Sequence, residues 1–278
     1  MKIVFKDSKI ENGIIKVSLD GGFTFTDYEI ADVKESGIPL DSSQAFDKIQ
    51  IKGSANVLKN LDVVSSINTL YESELLPGDI TGIVLKDFNG KFDESLLQKY
   101  PKLTSVTIPE GVTSISSNAF YGCSKLESIT IPDGVTSIGL NAFFNCSNLT
   151  SIAIPKSVTS IGEAAFWNCK SLTSITIPDG VTEIRLSAFN GCSNLKSITI
   201  PESVISIDKS AFYNCSKLES ITIPESVTSI GDNAFGICSK LKTINYKGTE
   251  EQWNAISKGN NWNRFCPSDM VINYDYQG

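Results

Sequence analysis

The chain contains no histidine, and that absence excludes more functional classes than any other feature of its composition. Histidine is the usual general base at neutral pH and the commonest transition-metal ligand, so Ser-His-Asp, Cys-His and His-metal sites are ruled out. Basic residues are also in deficit, with 24 Lys and Arg against 31 Asp and Glu and a net charge of −7. Binding to a phosphate backbone draws its affinity from clustered cations, so nucleic acid is not an expected partner. No apolar run approaches the roughly 20 residues of a membrane helix, which argues against a membrane span. The start, Met1 to Asp7, lacks the apolar core of a signal peptide, so no secretion signal is read there. Close C-x-x-C pairs are missing too, and neither a metal nor a cofactor is expected.

What the sequence does have is a repeat. Cys123, Cys146, Cys169, Cys192, Cys215 and Cys238 follow one another at intervals of 23 residues. Six units run from Leu103 to Lys240. Counting the first leucine as zero, apolar residues occupy positions 0, 3, 5, 9, 12, 16, 17 and 20 of each unit. The first three, as in Leu103, Val106 and Ile108, form an L-x-x-L-x-L core, and the alternation through Ser105-Val106-Thr107-Ile108 predicts a short strand with Val and Ile inside. A proline follows in every unit (Pro109, Pro132, Pro155, Pro178, Pro201, Pro224) and ends the strand, because it has no amide hydrogen to continue a ladder. Val112-Thr-Ser-Ile115 predicts a second extended segment, and Ala119-Phe120 returns the chain to the axis. One such coil cannot bury its apolar side alone, but stacked coils share one core.

Degenerate coils precede the regular ones. One shows Ile80, Ile83, Leu85, Phe92 and Leu97, and before it comes one with Leu58, Leu61, Val63, Ile67, Leu70 and Leu75, a step of 22 residues. Beyond Lys240, Leu241, Ile244 and Tyr246 start a ninth coil, which Lys247-Gly248-Thr249 interrupts; the rest, with Trp253, Ile256, Trp262 and Phe265, reads as a cap. The fold expected is mainly β: a right-handed leucine-rich-repeat solenoid of 23-residue coils. Its parts are a small N-terminal β domain (1–52), the solenoid (53–246, with degenerate coils 58–79 and 80–102, regular coils 103–240 and a partial coil from 241) and a capping segment (247–278).

The pattern L-x-x-I-x-I-P-x-x-V-x-x-I-x-x-x-A-F-x-x-C resembles the BspA-like, treponemal-type leucine-rich repeats of bacterial surface proteins. The tail from Tyr246 through Gln252-Trp253 to Ile256 is similar to the segment that closes such arrays. The resemblance implies an exported, non-enzymatic protein of the cell surface, engaged in adhesion or host interaction. An export signal and a wall anchor, which the family pattern includes, are not evident.

In the N-terminal region, Val17 to Phe25 reads as a β-hairpin about an Asp-Gly-Gly turn. It resembles an Asp-box through Ser18, Asp20, Gly22 and Phe25, a motif that stabilises hairpins.

Four features invite a chemical reading. The cysteines are read as reduced packing residues, since parallel stacked side chains hold their Cβ atoms farther apart than a disulfide prefers. The strand face presents Ser105 and Thr107, Ser128 and Thr130, Ser151 and Ala153, Ser174 and Thr176, Ser197 and Thr199, and Ser220 and Thr222. That surface is flat, neutral and repetitive; a solvated face is its simplest reading, with Thr107, Thr130, Thr176, Thr199 and Thr222 as candidate ligand contacts. Position 18 carries Tyr121, Phe144, Trp167, Asn190, Tyr213 and Gly236. Stacking would align its aromatics into a stripe, so Tyr121, Phe144, Trp167 and Tyr213 are candidate contacts for a protein or glycan, against the competing reading of burial under the next coil. After the prolines come Glu110, Asp133, Lys156, Asp179, Glu202 and Glu225, mostly acidic but in a turn position that favours polar residues anyway.

These observations lead to a non-catalytic binding module, expected to be monomeric, for a protein or possibly glycan ligand. A structural spacer is the alternative. A hydrolase using carboxylates such as Asp20 or Asp27 ranks below both, for want of histidine or a nucleophile motif.

Overall fold

The computed structural model of the chain describes residues 103–108 and 110–277 throughout and, before them, the backbone of seven strands. The protein is a β-solenoid with little helix, wound at the 23-residue period.

The coils stack through three parallel ladders, the first two of which lapse in the middle of the array. The first joins Ser105–Thr107 to Ser128–Thr130 with Val106 opposite Ile129, and later Ser197–Thr199, Ser220–Ile223, Thr243–Tyr246 and Val271–Asn273 in the same way. Ile129 is buried while Ser128 and Thr130 are exposed, which is the period-2 alternation of the sequence. The second ladder joins Ser114–Ile115, Ser137–Ile138 and Ser160–Ile161, and then Glu183–Ile184, Ser206–Ile207, Ser229–Ile230 and Ser257–Lys258.

The third ladder runs through turns rather than strands. N–H groups at positions 15, 17 and 19 donate to carbonyls at positions 14, 16 and 18 of the following coil, as from Asn141 to Glu163 (2.9 Å), Phe143 to Ala165 (2.7 Å) and Asn145 to Trp167 (2.7 Å). The backbone meets this geometry by turning left-handed at positions 15 and 19. Asn118, Asn141, Ala164, Ser187, Ser210 and Asn233 have φ between 50° and 63°, and at position 19 Gly122, Asn145, Asn168, Gly191, Asn214 and Ile237 lie between 56° and 76°. Asn and Gly are the residues that tolerate this region, and they hold eight of these twelve positions.

The core is a set of side-chain columns. Phe120, Phe143, Phe166, Phe189, Phe212 and Phe235 are fully buried, with centroids 5.1 to 5.5 Å apart and planes within 6° of parallel. Beside them each cysteine thiol donates across a junction to a phenylalanine carbonyl of the preceding coil, from Cys146 to Phe120 (3.1 Å) through Cys238 to Phe212 (3.1 Å).

At the C-terminal end the chain goes on winding. Cys266 donates to the Phe235 carbonyl (3.2 Å) as the sixth thiol of this series, 28 residues after Cys238 rather than 23. The five extra residues are taken up around the helix Glu250–Ala255, whose Thr249 and Gln252 form a reciprocal capping box. Residues 247–273, which the repeat pattern reads as a cap, thus complete an enlarged coil and begin another strand. The phenylalanine column ends on Trp262, edge-on to Phe235 at 6.1 Å and 85°.

Before Leu103, strands Leu61–Ser66 and Gly82–Lys86 extend the first ladder in parallel. Val63, not Leu61, lies opposite Ile83, so the step there is 20 residues (63 to 83) and not the 22 that the leucine spacing suggests. Lys2–Phe5 then adds antiparallel to Leu61–Ser66, and Ile38–Pro39 lies outermost. A two-residue strand containing proline blunts that edge against further pairing. Ile14–Ser18 pairs antiparallel with Thr26–Glu29, Val17 opposite Thr26, and with Gln50–Lys52 in a separate sheet. The Asp-Gly-Gly turn between them, Asp20 and the rest of the Asp-box turn lie outside the described residues.

One expectation is overturned in the middle of the array. The third and fourth coils form no strand at Ser151–Ala153 or Ser174–Thr176, apart from a single bridge from Thr130 to Ala153. The second ladder lapses between Ser160–Ile161 and Glu183–Ile184. Elsewhere the residue at position 13 donates to the preceding coil, from Gly139 to Ile115 (2.9 Å), Gly162 to Ile138 (2.8 Å), Asp208 to Ile184 (2.8 Å) and Gly231 to Ile207 (2.7 Å); Arg185 has no such bond among the described residues. Backbones approach closely here: a Cβ on Gly162 would stand 2.4 Å from the Gly139 carbonyl carbon. An Arg185 Cβ takes space that glycine leaves open at this approach. On the strand side the start of the fourth coil keeps bonds to the start of the third, from Ser171 to Ser147 (3.1 Å) and from Thr173 to Thr150 (3.2 Å).

Candidate functional site

The position-18 stripe forms in part. Tyr121 is 42% exposed and stacks on Phe144 with centroids 4.7 Å apart and planes at 4°. Phe144 meets Trp167 at 5.5 Å and 44°, and both are half-buried. The next member, Asn190, is buried, and Tyr213 lies alone beyond it, half-buried. Its ring rests against the following coil at Gly236, where a Cβ would come within 2.9 Å of Tyr213 Cδ2. The four aromatic candidates are therefore three rings in contact plus a separate fourth. Tyr121 and Phe144 cover each other's faces nearly in parallel, while Trp167 is tilted against Phe144.

On the strand face Thr107, Thr130, Thr176 and Thr199 are exposed and Thr222 is half-buried. The acidic residues after the prolines are all exposed, with Lys156 interrupting them, and Glu202 pairs with Lys247 at 2.7 Å. Among the described residues no group of three or more His, Cys, Asp or Glu could hold a metal ion, and no helix is long and apolar enough to cross a membrane.

Two features escaped the sequence reading. Where the second ladder lapses, a cleft of about 340 Å³ opens, lined by Ile138, Gly139, Leu140, Gly162, Glu163 and Arg185. Its signal in the sequence is one residue, Arg185 where the two preceding units carry Gly139 and Gly162. The second feature is the bonding of the thiols. Burial raises the Cys123 thiol to about 11 and Cys192 to about 12, and lifts Cys146, Cys169 and Cys215 well above the ordinary thiol range. Burial, aided by the nearby Cys238, holds Cys266 at about 12. Such thiols are poor nucleophiles, and they act as hydrogen-bond donors that alanine or valine would not replace. A constant cysteine where any small apolar residue would pack was the available signal.

Comparison with known proteins places the chain. The Treponema pallidum leucine-rich repeat protein has a similar structure, with 27% identity, a TM-score of 0.52 and coverage of 70% of this chain and 87% of that one. A leucine-rich repeat protein of Bacteroides ovatus shows 26% identity and a TM-score of 0.50 over 70% of this chain and 66% of its own. A leucine-rich cell surface protein of Faecalibacterium prausnitzii shows 34% identity and a TM-score of 0.48, over 72% and 63%. The chain thus spans just under two thirds of the last two. No curated protein matches it. The model for the BspA type leucine rich repeat region matches residues 43–149, 90–185 and 160–259 in six copies, and the chain belongs to that family.

Proposed function

We propose that this protein is a non-catalytic binding scaffold of the cell surface, and that it holds a protein ligand along the edge formed by Tyr121, Phe144, Trp167 and Tyr213. The observation that carries the reading is the Tyr121–Phe144–Trp167 contact, a set of large apolar side chains kept partly exposed on a rigid frame. Aromatic side chains in such positions supply much of the energy of protein interfaces. A protein is favoured over a glycan because a sugar packs on an open ring face, whereas Tyr121 and Phe144 cover each other nearly in parallel. Thr107, Thr130, Thr176, Thr199 and Thr222 extend the accessible surface on the strand face. Adhesion to a host or neighbouring cell follows from the family resemblance, and the N-terminal strands and C-terminal coil serve as ends to the array.

The test compares wild type with the double variant Trp167→Ala/Tyr213→Ala on purified extracellular-matrix proteins and on a glycan array. Wild type should retain a protein and no glycan, and the variant should lose at least tenfold in affinity at an unchanged melting temperature. Equal retention by both would remove the stripe from the site, and selective glycan binding would reverse the ligand class.

A further inference from the structure

The strand face is bordered by two edges of opposite charge. Where each strand begins, Lys125, Lys170, Lys196, Lys217, Lys240 and Lys242 are exposed, outnumbering Glu127 and Glu219 on the same edge. Where it ends, Glu110, Asp133, Asp179, Glu202 and Glu225 are exposed, with Lys156 among them. Apart from the pair between Glu202 and Lys247, none of these residues forms an ion pair among the described residues. Between the edges lie the neutral serines and threonines. The acidic edge has one charged residue per coil, and the basic edge has lysine at the start of the second, fourth, fifth, sixth and seventh coils, at a coil pitch of about 4.8 Å.

We infer that the strand face docks a second copy of this chain, about a two-fold axis parallel to the stacking direction. That operation sets the basic edge of one copy against the acidic edge of the other. A two-fold axis along the strands would instead oppose like charges. A second copy carries the complementary edge at the same pitch, so that Lys125, Lys170, Lys196 and Lys217 of one copy come opposite the coils of Asp133, Asp179, Glu202 and Glu225 in the other. The hydroxyls between the edges are both donors and acceptors, so self-apposition leaves no side of the contact without partners. A face about 17 Å wide and about 30 Å long gives roughly 500 Å² per copy, or about 1,000 Å² in all, at the lower limit of a specific interface. Exposed ion pairs contribute little singly and are screened by salt. The complex is therefore weak and sensitive to ionic strength, and the monomer expected from sequence alone is its high-salt form. The aromatic edge is not required for this contact, so the inference stands apart from the ligand reading.

Sedimentation velocity on the full chain tests it, with three preparations. Wild type should dimerise at about 10 mM salt, where the Debye length is about 30 Å, and be monomeric at about 1 M, where it is about 3 Å. The variant Lys125→Glu/Lys170→Glu/Lys196→Glu has two acidic edges, and Glu110→Lys/Asp133→Lys/Asp179→Lys has two basic ones. Each alone should weaken association at least tenfold, while an equimolar mixture should form a heterodimer at low salt. Circular dichroism checks that both variants fold, which substitution at exposed positions leaves intact. A wild type monomeric at low salt at the highest attainable concentration overturns the inference. So does a reversed variant that still dimerises, or a mixture that does not.

Discussion

The turn side and the strand side of this solenoid carry the same coils but tolerate irregularity very differently. At the junction between the third and fourth coils both strand ladders lapse, yet the turn side keeps all three of its bonds, Ala164 to Leu186 (2.8 Å), Phe166 to Ala188 (2.8 Å) and Asn168 to Asn190 (2.7 Å). Phe166 still stacks on Phe189 at 5.5 Å and 1°, and Cys192 still donates to the Phe166 carbonyl at 3.2 Å. Nearest-neighbour contacts hold a repeat array together. Here the constant contacts are those of the turns, and strand pairing is the part that can be lost locally.

Alkaline pH should attack the turn side hardest. Six thiols there are raised above the 9.0 of an ordinary cysteine, with Cys123 near 11 and Cys192 and Cys266 near 12. The sign follows from linkage: above the unfolded value the unfolded chain releases protons that the folded chain retains. The thiols' contribution is thus intact below pH 9 and is lost as pH rises through 9 toward 12, at up to about 1.4 kcal/mol per buried thiol per pH unit and less for the half-buried Cys266. Urea unfolding measured from pH 8 to 11 should show a steep fall in stability. A midpoint that stays level over that range would mean the thiols are not buried as described.

Within a single coil the comparison becomes quantitative. Phe189→Ala empties the space between Phe166 and Phe212 and should cost about 3–5 kcal/mol, whereas Ile175→Val, on the strand side of the same fourth coil, should cost about 0.5–1.5 kcal/mol. Denaturant titration of both variants decides it, and equal losses would put the strand side on a par with the turns.

The contrast explains what could be read from the sequence. Apolar spacing reports which side chains face the axis, so the inward residues of the strand side, Phe120 and its equivalents and the cysteines were legible, even where, at Ile152 and Ile175, no strand forms. Backbone conformation is reported only where a residue type is selective for it. The left-handed turns at positions 15 and 19 went unread: Asn and Gly hold eight of those twelve positions, but Ala164, Ser187, Ser210 and Ile237 break the rule. The enlarged final coil was hidden because its insert shifts Cys266 out of the 23-residue register. At the candidate site, position 18 was identifiable as a stripe. The buried Asn190 and the stacking that closes the faces of Tyr121 and Phe144 depend on packing between coils, which spacing does not encode.

A milder perturbation addresses the strand side. Asp208 has a Cβ and still donates to Ile184, so crowding at position 13 depends on the coil beneath it; under Arg185 that coil presents Gly162, itself packed on Gly139. Arg185→Gly should let the fourth coil settle, restoring bonds from the amides of Thr182 and residue 185. Native-state hydrogen exchange should then show protection at both amides close to that of Thr159 and Gly162. The net stability change should be small, since glycine's added chain entropy offsets about 0.5–1 kcal/mol of the gain. Continued rapid exchange at both amides in the variant would show that the lapse has another cause.

The smallest effect concerns what the turn side demands of its residues. Ile237 holds φ 60° at position 19, where the second, third and fifth coils place Asn145, Asn168 and Asn214 at 59°, 56° and 58°. A β-branched side chain in the left-handed region is strained by roughly 1–2 kcal/mol, and asparagine by less. Ile237 is half-buried, so its replacement also gives up some apolar contact. The expected result for Ile237→Asn is a gain of about 1 kcal/mol, with Asn214→Ile losing a similar amount, read from paired urea titrations. The turn bonds from residue 237 to the Arg264 carbonyl (2.7 Å) and from Ser239 to the residue 237 carbonyl (2.9 Å) are backbone contacts that both side chains permit. If Ile237→Asn were no more stable than wild type while Asn214→Ile still lost stability, apolar contact with the final coil would outweigh conformational strain there. The ladder would then be strongest where it meets its end.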